Sequence, residues 1–179
     1  MTVCEQVMRD CMPPEGDPHR RERADLGPEH PWGDQGQALF QLLFLIVWVA
    51  DSFVFGASTV LATYVPWYVR LSLASFFVLV GIWLHRMSNR VVFDEVRDPP
   101  RVIDESVFSY VRHPMYLGSL YIDLGLLVST LSIFCLDLWA IMFIFYDRIA
   151  AYEERDLASR FGEKYANYRR RVRRWLPRP

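Results

Sequence analysis

The chain has 179 residues, of which 52% are hydrophobic, 15% aromatic and 23% charged, and its formal net charge is −1. This composition excludes a disordered chain, a collagen-like chain and a small disulfide-stapled domain. The near-zero net charge gives no reason to expect a nucleic-acid partner. Three cysteines, Cys4, Cys11 and Cys135, form no disulfide framework and favour a reducing compartment.

Residues 1–36 differ in kind from the rest of the chain. They hold five Pro, four Gly, eight acidic residues and four Arg, which predicts a flexible polar N-terminal arm without a core of its own. The arm has no apolar segment of the kind found in signal peptides. Its Cys and His residues fit no common zinc spacing, so we expect no metal site.

Long stretches with few charged residues follow the arm. A helix needs about 20 apolar residues to cross a hydrocarbon layer of about 30 Å, and the stretches supply that length. We predict an all-α membrane bundle with four transmembrane helices at residues 37–63, 66–86, 114–130 and 132–152. The first is long enough to tilt or to break near Asp51 or Gly56, and a break there would give five segments.

The positions of the basic residues predict the topology. The predicted short loops at 63–66 and 129–132 contain no Lys or Arg, whereas basic residues are frequent in 1–36, 86–113 and 148–178. The positive-inside rule therefore places both termini and the loop at 87–113 in the cytoplasm, with helix pairs at 37–86 and 114–152. The 20 basic residues include a single Lys, which favours the inner membrane of a prokaryote.

Polar residues in the third predicted span need a structural or functional explanation. Asp123 shares a helix face with Tyr116 at a spacing of seven residues, and charged groups at membrane depth usually face the bundle interior or an aqueous cavity. Gly118 and Gly125 have the same spacing, which favours close helix packing over contact with a flat ligand. Asp137, near the outer end of the fourth span, is expected to reach the membrane surface.

The densest polar cluster is Arg112-His113-Pro114-Met115-Tyr116. Proline suits the first turn of a helix, so Arg112 and His113 are predicted to lie at the cytoplasmic mouth of the third span. Unpaired N–H groups and the helix dipole there favour an anionic group. A basic anchor for phospholipid headgroups is the alternative for Arg112.

A second cluster marks the point where the fourth span leaves the membrane. The hairpin should bring Glu153 and Glu154, which follow Tyr152, close to the mouth of the third span, although a solvated helix face is the alternative. Leu157, Phe161, Tyr165 and Tyr168 then predict an amphipathic C-terminal helix within residues 153–179. The Arg-rich tail with Trp175 predicts contact with anionic lipid headgroups.

These clusters resemble the signature of the isoprenylcysteine carboxyl methyltransferase family, which is related to the phospholipid methyltransferases. The similarity rests on Arg112-His113-Pro114-x-Tyr116-x-Gly118, then on Glu153-Glu154-x-x-Leu157 and Phe161-Gly162-x-x-Tyr165, and covers roughly residues 70–177. One departure is that Ser106, Val107 and Phe108 stand where the family commonly has Gly-Pro-Tyr.

The resemblance implies an integral-membrane methyltransferase that uses S-adenosylmethionine and a lipophilic acceptor entering from the bilayer, such as a prenylcysteine carboxylate or a lipid. It implies catalytic roles for Arg112 and Glu153. The implied cofactor-binding residues are Tyr110, His113, Tyr116, Tyr152, Glu153, Glu154 and Phe161. The cofactor carboxylate would suit Arg112 and His113, and its cationic groups would suit the glutamates and aromatic faces.

Two alternatives remain open from the sequence. Sterol reductases end in a similar Arg-His-Pro and Tyr pattern, so one alternative is an NADPH-dependent membrane reductase, although the chain lacks the extra spans that such enzymes usually have. The other is a non-catalytic scaffold that binds anionic lipids through the Arg-rich tail.

Overall fold

A computed structural model describes residues 33–94 and 101–177, and this part of the chain is helical with no strand. The predicted arm lies outside the described residues except for 33–36, which belong to the first helix. The α-helices are α1 (Gly33–Val49), α2 (Trp67–Asn89), α3 (Pro114–Thr130), α4 (Ile133–Phe161) and α5 (Glu163–Arg171). Short π-helical turns, Ala50–Phe55 and Arg90–Asp94, extend α1 and α2.

The first predicted span breaks at Gly56. Gly56 adopts a left-handed conformation with φ of 59°, and its N–H donates to the Asp51 carbonyl at 2.7 Å. Residues Val60–Thr63 form only a 3₁₀ turn, which is too short to cross a membrane. The predicted end at residue 63 is therefore wrong, because the helical run stops at Phe55.

Close contact between α2 and α3 organises the bundle. A Cβ atom on Gly118 would lie 2.9 Å from the Gly81 carbonyl oxygen, and one on Gly125 would lie 2.8 Å from that of Ala74. Such distances leave no room for a side chain, so the glycines let two antiparallel backbones touch. The preference for packing over ligand contact at Gly118 and Gly125 is confirmed.

Buried polar side chains form hydrogen bonds at the end of the bundle where α3 turns into α4. Leu131 ends α3 in a left-handed conformation, with φ of 53°, and Ser132 caps α4 by accepting from the Cys135 N–H at 3.2 Å. Buried Asp51 accepts from the hydroxyl groups of Ser132 and Ser58, each at 2.5 Å. Asp51 thus links the segment after α1 to the start of α4 through these hydrogen bonds. The Asp137 side chain is exposed.

The C-terminal region differs from the predicted amphipathic helix. Helix α4 continues without interruption to Phe161, so Glu153 and Glu154 lie within it. Gly162, with φ of 52°, then turns the chain, and α5 begins at Glu163. Leu157 and Phe161 therefore belong to one helix and Tyr165 and Tyr168 to the next, although all four pack in one cluster with Val102 and Val172.

Within residues 33–94 and 101–177, two helical segments are long and apolar enough to cross a membrane by length and composition. They are Gln35–Phe55 and Trp67–Val92, and large apolar side chains such as Phe53, Phe76 and Leu79 are exposed on them. Such surfaces suit lipid rather than water.

Candidate active site

The start of α3 positions His113 and Pro114, two residues of the first polar cluster. Pro114 occupies the first helical position, as predicted, and His113 precedes it as the N-cap residue. The preceding segment is held by the C-terminal tail, because the Arg112 N–H donates to the Arg173 carbonyl at 3.0 Å. The Arg112 side chain also donates to the carbonyls of Arg169 and Val172, at 3.2 and 3.3 Å.

Glu154 is the centre of a buried charge cluster. Its carboxylate lies 3.2 Å from His113 Nε2 and 3.0 Å from Arg112 Nη2. Arg174 binds it with two nitrogens, Nε and Nη2, each at 2.9 Å. The Glu154 side chain is 3% exposed, so these contacts are little screened by solvent.

The cluster sets the charge states of its members. Burial alone would raise the pKa of Glu154, but hydrogen bonds from His113 and Arg174 and the charge of Arg112 hold it well below its usual range. Burial likewise opposes the charged form of His113, yet hydrogen bonds to Glu153 and Glu154 raise its pKa above the ordinary value. Glu154 is therefore ionised and His113 favours its protonated form.

Glu153 is placed differently from its neighbour. It accepts a hydrogen bond from the Tyr116 hydroxyl at 2.5 Å, and its other oxygen lies 3.5 Å from His113 Nδ1. The Glu153 side chain remains 35% exposed. The Tyr116 ring stacks with the rings of His113 and Tyr146, with centroids 5.9 and 5.3 Å apart. Glu153 is thus held in position while keeping access to solvent.

The C-terminal tail contributes to the site two residues, Arg174 and Trp175, that the sequence predicted to contact lipid headgroups. Besides binding Glu154, Arg174 donates to Asp147 Oδ1 at 2.7 Å, and the Trp175 indole N–H donates to the same oxygen at 2.9 Å. Trp175 also lies against His113, with ring centroids 6.2 Å apart. In the sequence, the only signal of these contacts is an Arg-Trp pair that follows a basic run. A tail that folds back onto α4 has no periodic pattern of apolar residues from which the contacts could be predicted.

A cavity of about 120 Å³ lies beside the charge cluster. Arg112 and His113 form one wall of it, and the aromatic side chains of Phe108, Phe161, Tyr165 and Tyr168 form much of the rest. The Tyr168 hydroxyl donates to the Phe108 carbonyl at 2.8 Å, which joins α5 to the loop before α3. Burial, together with the charge of Glu154, raises the pKa of Tyr165 to about 12, so its ring stays neutral.

The structure brings together most of the residues implied by the resemblance. Arg112, His113 and Phe161 line the cavity. Tyr116, Glu153 and Glu154 contact His113 but do not line the cavity. Tyr110 and Tyr152 are not in its lining, and they are 65% and 48% exposed. Glu154 is fully engaged with protein cations, which gives it a structural role at the site.

The residues present fit part of S-adenosylmethionine. The Arg112 Nε–H is buried without a protein partner in the described part of the chain, so it could donate to a carboxylate. The aromatic walls suit a flat ring, and Glu153 offers an accessible carboxylate for a cation. The cavity is smaller than the ~300 Å³ typical of a complete small-molecule site, so it matches one portion of such a ligand.

Comparison with known proteins gives a consistent result. The profile of the isoprenylcysteine carboxyl methyltransferase (ICMT) family matches residues 59–159. Methanethiol S-methyltransferase 1 of Bradyrhizobium diazoefficiens is 28% identical over 74% of this chain and 46% of its own length. Methanethiol S-methyltransferase of Pseudomonas deceptionensis is 30% identical over 78% of this chain and 52% of its own.

The human relative is more similar over a shorter region. Protein-S-isoprenylcysteine O-methyltransferase of Homo sapiens is 34% identical over 50% of this chain and 32% of its own length. The chain thus spans about half the length, or less, of the curated relatives named here.

Proposed function

The chain belongs to the isoprenylcysteine carboxyl methyltransferase family, and on that premise we propose that it is an integral-membrane methyltransferase that uses S-adenosylmethionine. The observation that carries the proposal is the buried Arg112 Nε–H, which has no protein partner in the described residues and belongs to a side chain lining an aromatic cavity. The acceptor is a lipophilic molecule, a prenylcysteine-like compound or a small thiol, as the names of the relatives suggest.

S-adenosylmethionine, when bound, supplies an electrophilic methyl group on a sulfonium centre. The residues of this chain would act mainly by positioning, since holding two reactants in line can contribute about 7–11 kcal/mol to the rate. Arg112 and His113 would hold the cofactor carboxylate, and Phe161 and Tyr165 would hold its flat ring. Glu153 would face a cationic group, and Glu154 would keep Arg112 and His113 in place.

The proposed topology has four transmembrane helices with both termini in the cytoplasm, in the inner membrane of a prokaryote. Helices α3 and α4 would add to the two apolar segments, because the contacts of Gly118 and Gly125 pack α3 directly against α2. The site would then lie at the cytoplasmic surface, where S-adenosylmethionine is available from solution.

The tail is also proposed to bind anionic lipid headgroups. Arg169, Arg170, Arg171 and Arg173 are exposed on α5 and just beyond it, whereas Arg174 points into the site. Exposed arginines beside a membrane surface attract anionic lipid by about 1 kcal/mol each.

A thermal shift experiment tests the proposed cofactor. The chain, reconstituted in phosphatidylcholine nanodiscs, should gain about 2.7 kcal/mol of stability at a ligand concentration of 100 times Kd. For a chain of this size the gain corresponds to a rise in Tm of about 5–11 °C. NADPH, the ligand of the reductase alternative, should give no rise.

Matched variants locate the site. Glu153→Gln should reduce the shift caused by S-adenosylmethionine, whereas Asp156→Asn, on the same helix, should retain it. Transfer of label from methyl-tritiated S-adenosylmethionine to a native lipid extract would identify the acceptor. No shift at saturating S-adenosylmethionine would refute the proposal.

The matching relatives are named as methyltransferases, so neither the reductase alternative nor the scaffold alternative is favoured.

A further inference from the structure

The tail segment, residues 172–177 after α5, holds Arg112 in place. The Arg112 N–H donates to the Arg173 carbonyl at 3.0 Å, and the Arg112 side chain donates to the carbonyls of Arg169 and Val172 at 3.2 and 3.3 Å. The position of the Arg112 guanidinium, whose Nε–H is proposed to meet the cofactor carboxylate, therefore depends on the position of the tail segment and of the end of α5.

Side chains at the start of the tail segment point to opposite sides. Val172 has an extended backbone, with φ of −111° and ψ of 132°, so neighbouring side chains alternate. Val172 is buried and Arg174 binds Glu154, whereas the Arg173 side chain is exposed. Arg173 thus presents its carbonyl to Arg112 and its charge to the outside.

Exposed arginines form a basic strip on this outer side. Arg171 pairs with Asp104 at 3.1 Å, and both side chains are at least half exposed. Arg170 contacts the neutral amide of Asn167, and the Arg173 side chain forms no ion pair with any residue in the described part of the chain. The basic strip consists of Arg169, Arg170, Arg171 and Arg173.

Excess positive charge continues from the basic strip into the site. Arg169 lies 3.9 Å from Glu154. The same carboxylate lies within 3.2 Å of three further cationic side chains, those of Arg112, His113 and Arg174. Like charges at such short range repel, and this repulsion opposes docking of the tail segment on the site. An anion bound to the basic strip would reduce the repulsion and favour the docked position.

Contacts of Trp175 bring the basic strip close to the proposed membrane surface. The centroids of the Trp175 and Phe143 rings lie 5.4 Å apart, and the indole N–H donates to Asp147 at 2.9 Å. Asp147 precedes Tyr152, the proposed cytoplasmic end of the fourth span, by about 7.5 Å along the helix. Trp is typical of the interface between hydrocarbon and headgroups. With the proposed topology, the basic strip is therefore within reach of lipid headgroups.

We infer that anionic lipid headgroups bind the basic strip and hold the tail segment in the position that keeps Arg112 in the wall of the aromatic cavity. Binding of lipid and of cofactor then strengthen each other, because both favour the same position of the tail segment. The inference deepens the proposed function, on which it rests for the identity of the cofactor and for the contact of the tail with lipid. Its new content is that the lipid regulates the site.

Hydrogen exchange tests the position of the tail segment without any cofactor. The chain is reconstituted in nanodiscs of phosphatidylcholine alone or of an equal mixture with phosphatidylglycerol, and exchange is measured by mass spectrometry in a peptide covering residues 108–113. That peptide includes the Arg112 N–H, which donates to the tail segment. Each exposed arginine adds about fivefold to binding at an anionic surface, so phosphatidylglycerol should slow the exchange about fivefold or more.

Removing charge from the basic strip should remove this response. Arg170→Gln combined with Arg173→Gln deletes two charges and keeps every backbone carbonyl. In phosphatidylcholine this double variant should exchange no faster than the wild type, because the repulsion is smaller. Phosphatidylglycerol should slow its exchange much less than that of the wild type. Either single substitution serves the same purpose if the double variant does not fold.

Two controls separate the basic strip from the general effect of an anionic surface. Arg170→Lys combined with Arg173→Lys keeps the charge and should respond as the wild type does. Arg86→Gln combined with Arg90→Gln removes two exposed charges from α2 and the turn that follows it, and it should also keep the wild-type response. The lower pH at an anionic surface acts on every variant alike, so differences between variants report on the basic strip.

Cofactor affinity tests the coupling between lipid and site. The Kd of S-adenosylmethionine is measured by isothermal titration calorimetry in both kinds of nanodisc. Phosphatidylglycerol attracts this cationic cofactor to the surface of any variant, so the ratio of the two Kd values is compared between chains. The ratio should be about fivefold or more larger in the wild type than in the double Gln variant at residues 170 and 173.

Each contrary result overturns the inference. Equal exchange in the two lipids, or an equal response of the double Gln variant, would show that the basic strip does not hold the tail segment through lipid. The same slowing by glycerol phosphate in phosphatidylcholine nanodiscs would assign the strip to a soluble anion. Slower exchange with equal Kd ratios would show that the tail segment does not control the cofactor. No S-adenosylmethionine binding in either lipid would refute the proposed function and with it the coupling, whereas loss of the lipid effect alone leaves the proposed function intact.

Discussion

Replacing Glu154 with Gln removes a buried carboxylate that lies within 3.2 Å of three cationic side chains and 3.9 Å from a fourth, that of Arg169. Arg112, His113 and Arg174 have side-chain exposures of 9%, 8% and 21%, so none can be fully resolvated in place. Breaking a buried pair by removing one partner costs about 3–5 kcal/mol, because the other charge is left uncompensated. The retained contact between Arg174 and Asp147 puts the expected cost at the low end, about 3 kcal/mol.

The assay is thermal unfolding of the chain in nanodiscs. A loss of about 3 kcal/mol corresponds to a fall in Tm of about 6–12 °C for a chain of this size. Asp156→Asn is the matched control on α4, since its i,i+4 pair with Arg160 is one-third exposed on both sides. An exposed pair of this kind contributes less than about 1 kcal/mol, so the control should move Tm by only about 2–4 °C or less.

The pH dependence provides a second signature of the same carboxylate. The folded chain holds the pKa of Glu154 well below its usual range. Its stabilising effect is therefore present above the unfolded pKa of about 4.3 and is lost as the pH falls below that value. The difference in Tm between wild type and Glu154→Gln should narrow below about pH 4. A Tm change within that of the control, or a difference that persists at low pH, would refute the reasoning.

Three further predictions concern the neighbourhood of the site. The raised pKa of His113 stabilises the fold below its unfolded pKa of about 6.5, and this stabilisation is lost as the pH rises through the folded value. In thermal unfolding, Tm should therefore fall as the pH rises above about 6.5 in the wild type but not in His113→Gln. Gly118→Val should cost about 1–3 kcal/mol by overpacking α2 against α3, whereas lipid-facing Leu79→Val should change Tm little. Ser106 has a φ of 54°, so Ser106→Gly should raise Tm by about 1–4 °C, while Ser109→Gly, without that strain, should lower it.

The departure at Ser106 shows how a local sequence difference became interpretable only in the structure. The family commonly has Gly at this place, and the chain has Ser there in a left-handed conformation that Gly would adopt without strain. The sequence alone could flag the substitution, but the backbone conformation at Ser106 was not predictable from it. The described backbone is strained here, because Ser106 has a positive φ that suits Gly.

What the sequence determined by itself was the local physics. Uncharged runs of sufficient length predicted apolar helices, Pro114 predicted the start of α3, and the seven-residue spacing of Gly118 and Gly125 predicted close helix packing. Each of these follows from properties of neighbouring residues, such as a fixed φ or a missing side chain. The joining of the Arg112 and Glu154 clusters was also predictable, because a helical hairpin returns both ends to one side.

What only the tertiary structure decided was the partner of each polar group. Glu154 and Glu153 are adjacent in sequence, yet Glu154 is buried among four cationic side chains and Glu153 accepts from Tyr116 at a partly exposed edge. Arg174 and Gln41 enter through contacts across 20 and 82 residues of chain. A charge cluster or a cavity is set by distances between segments, and residue periodicity along one helix contains no information about those distances.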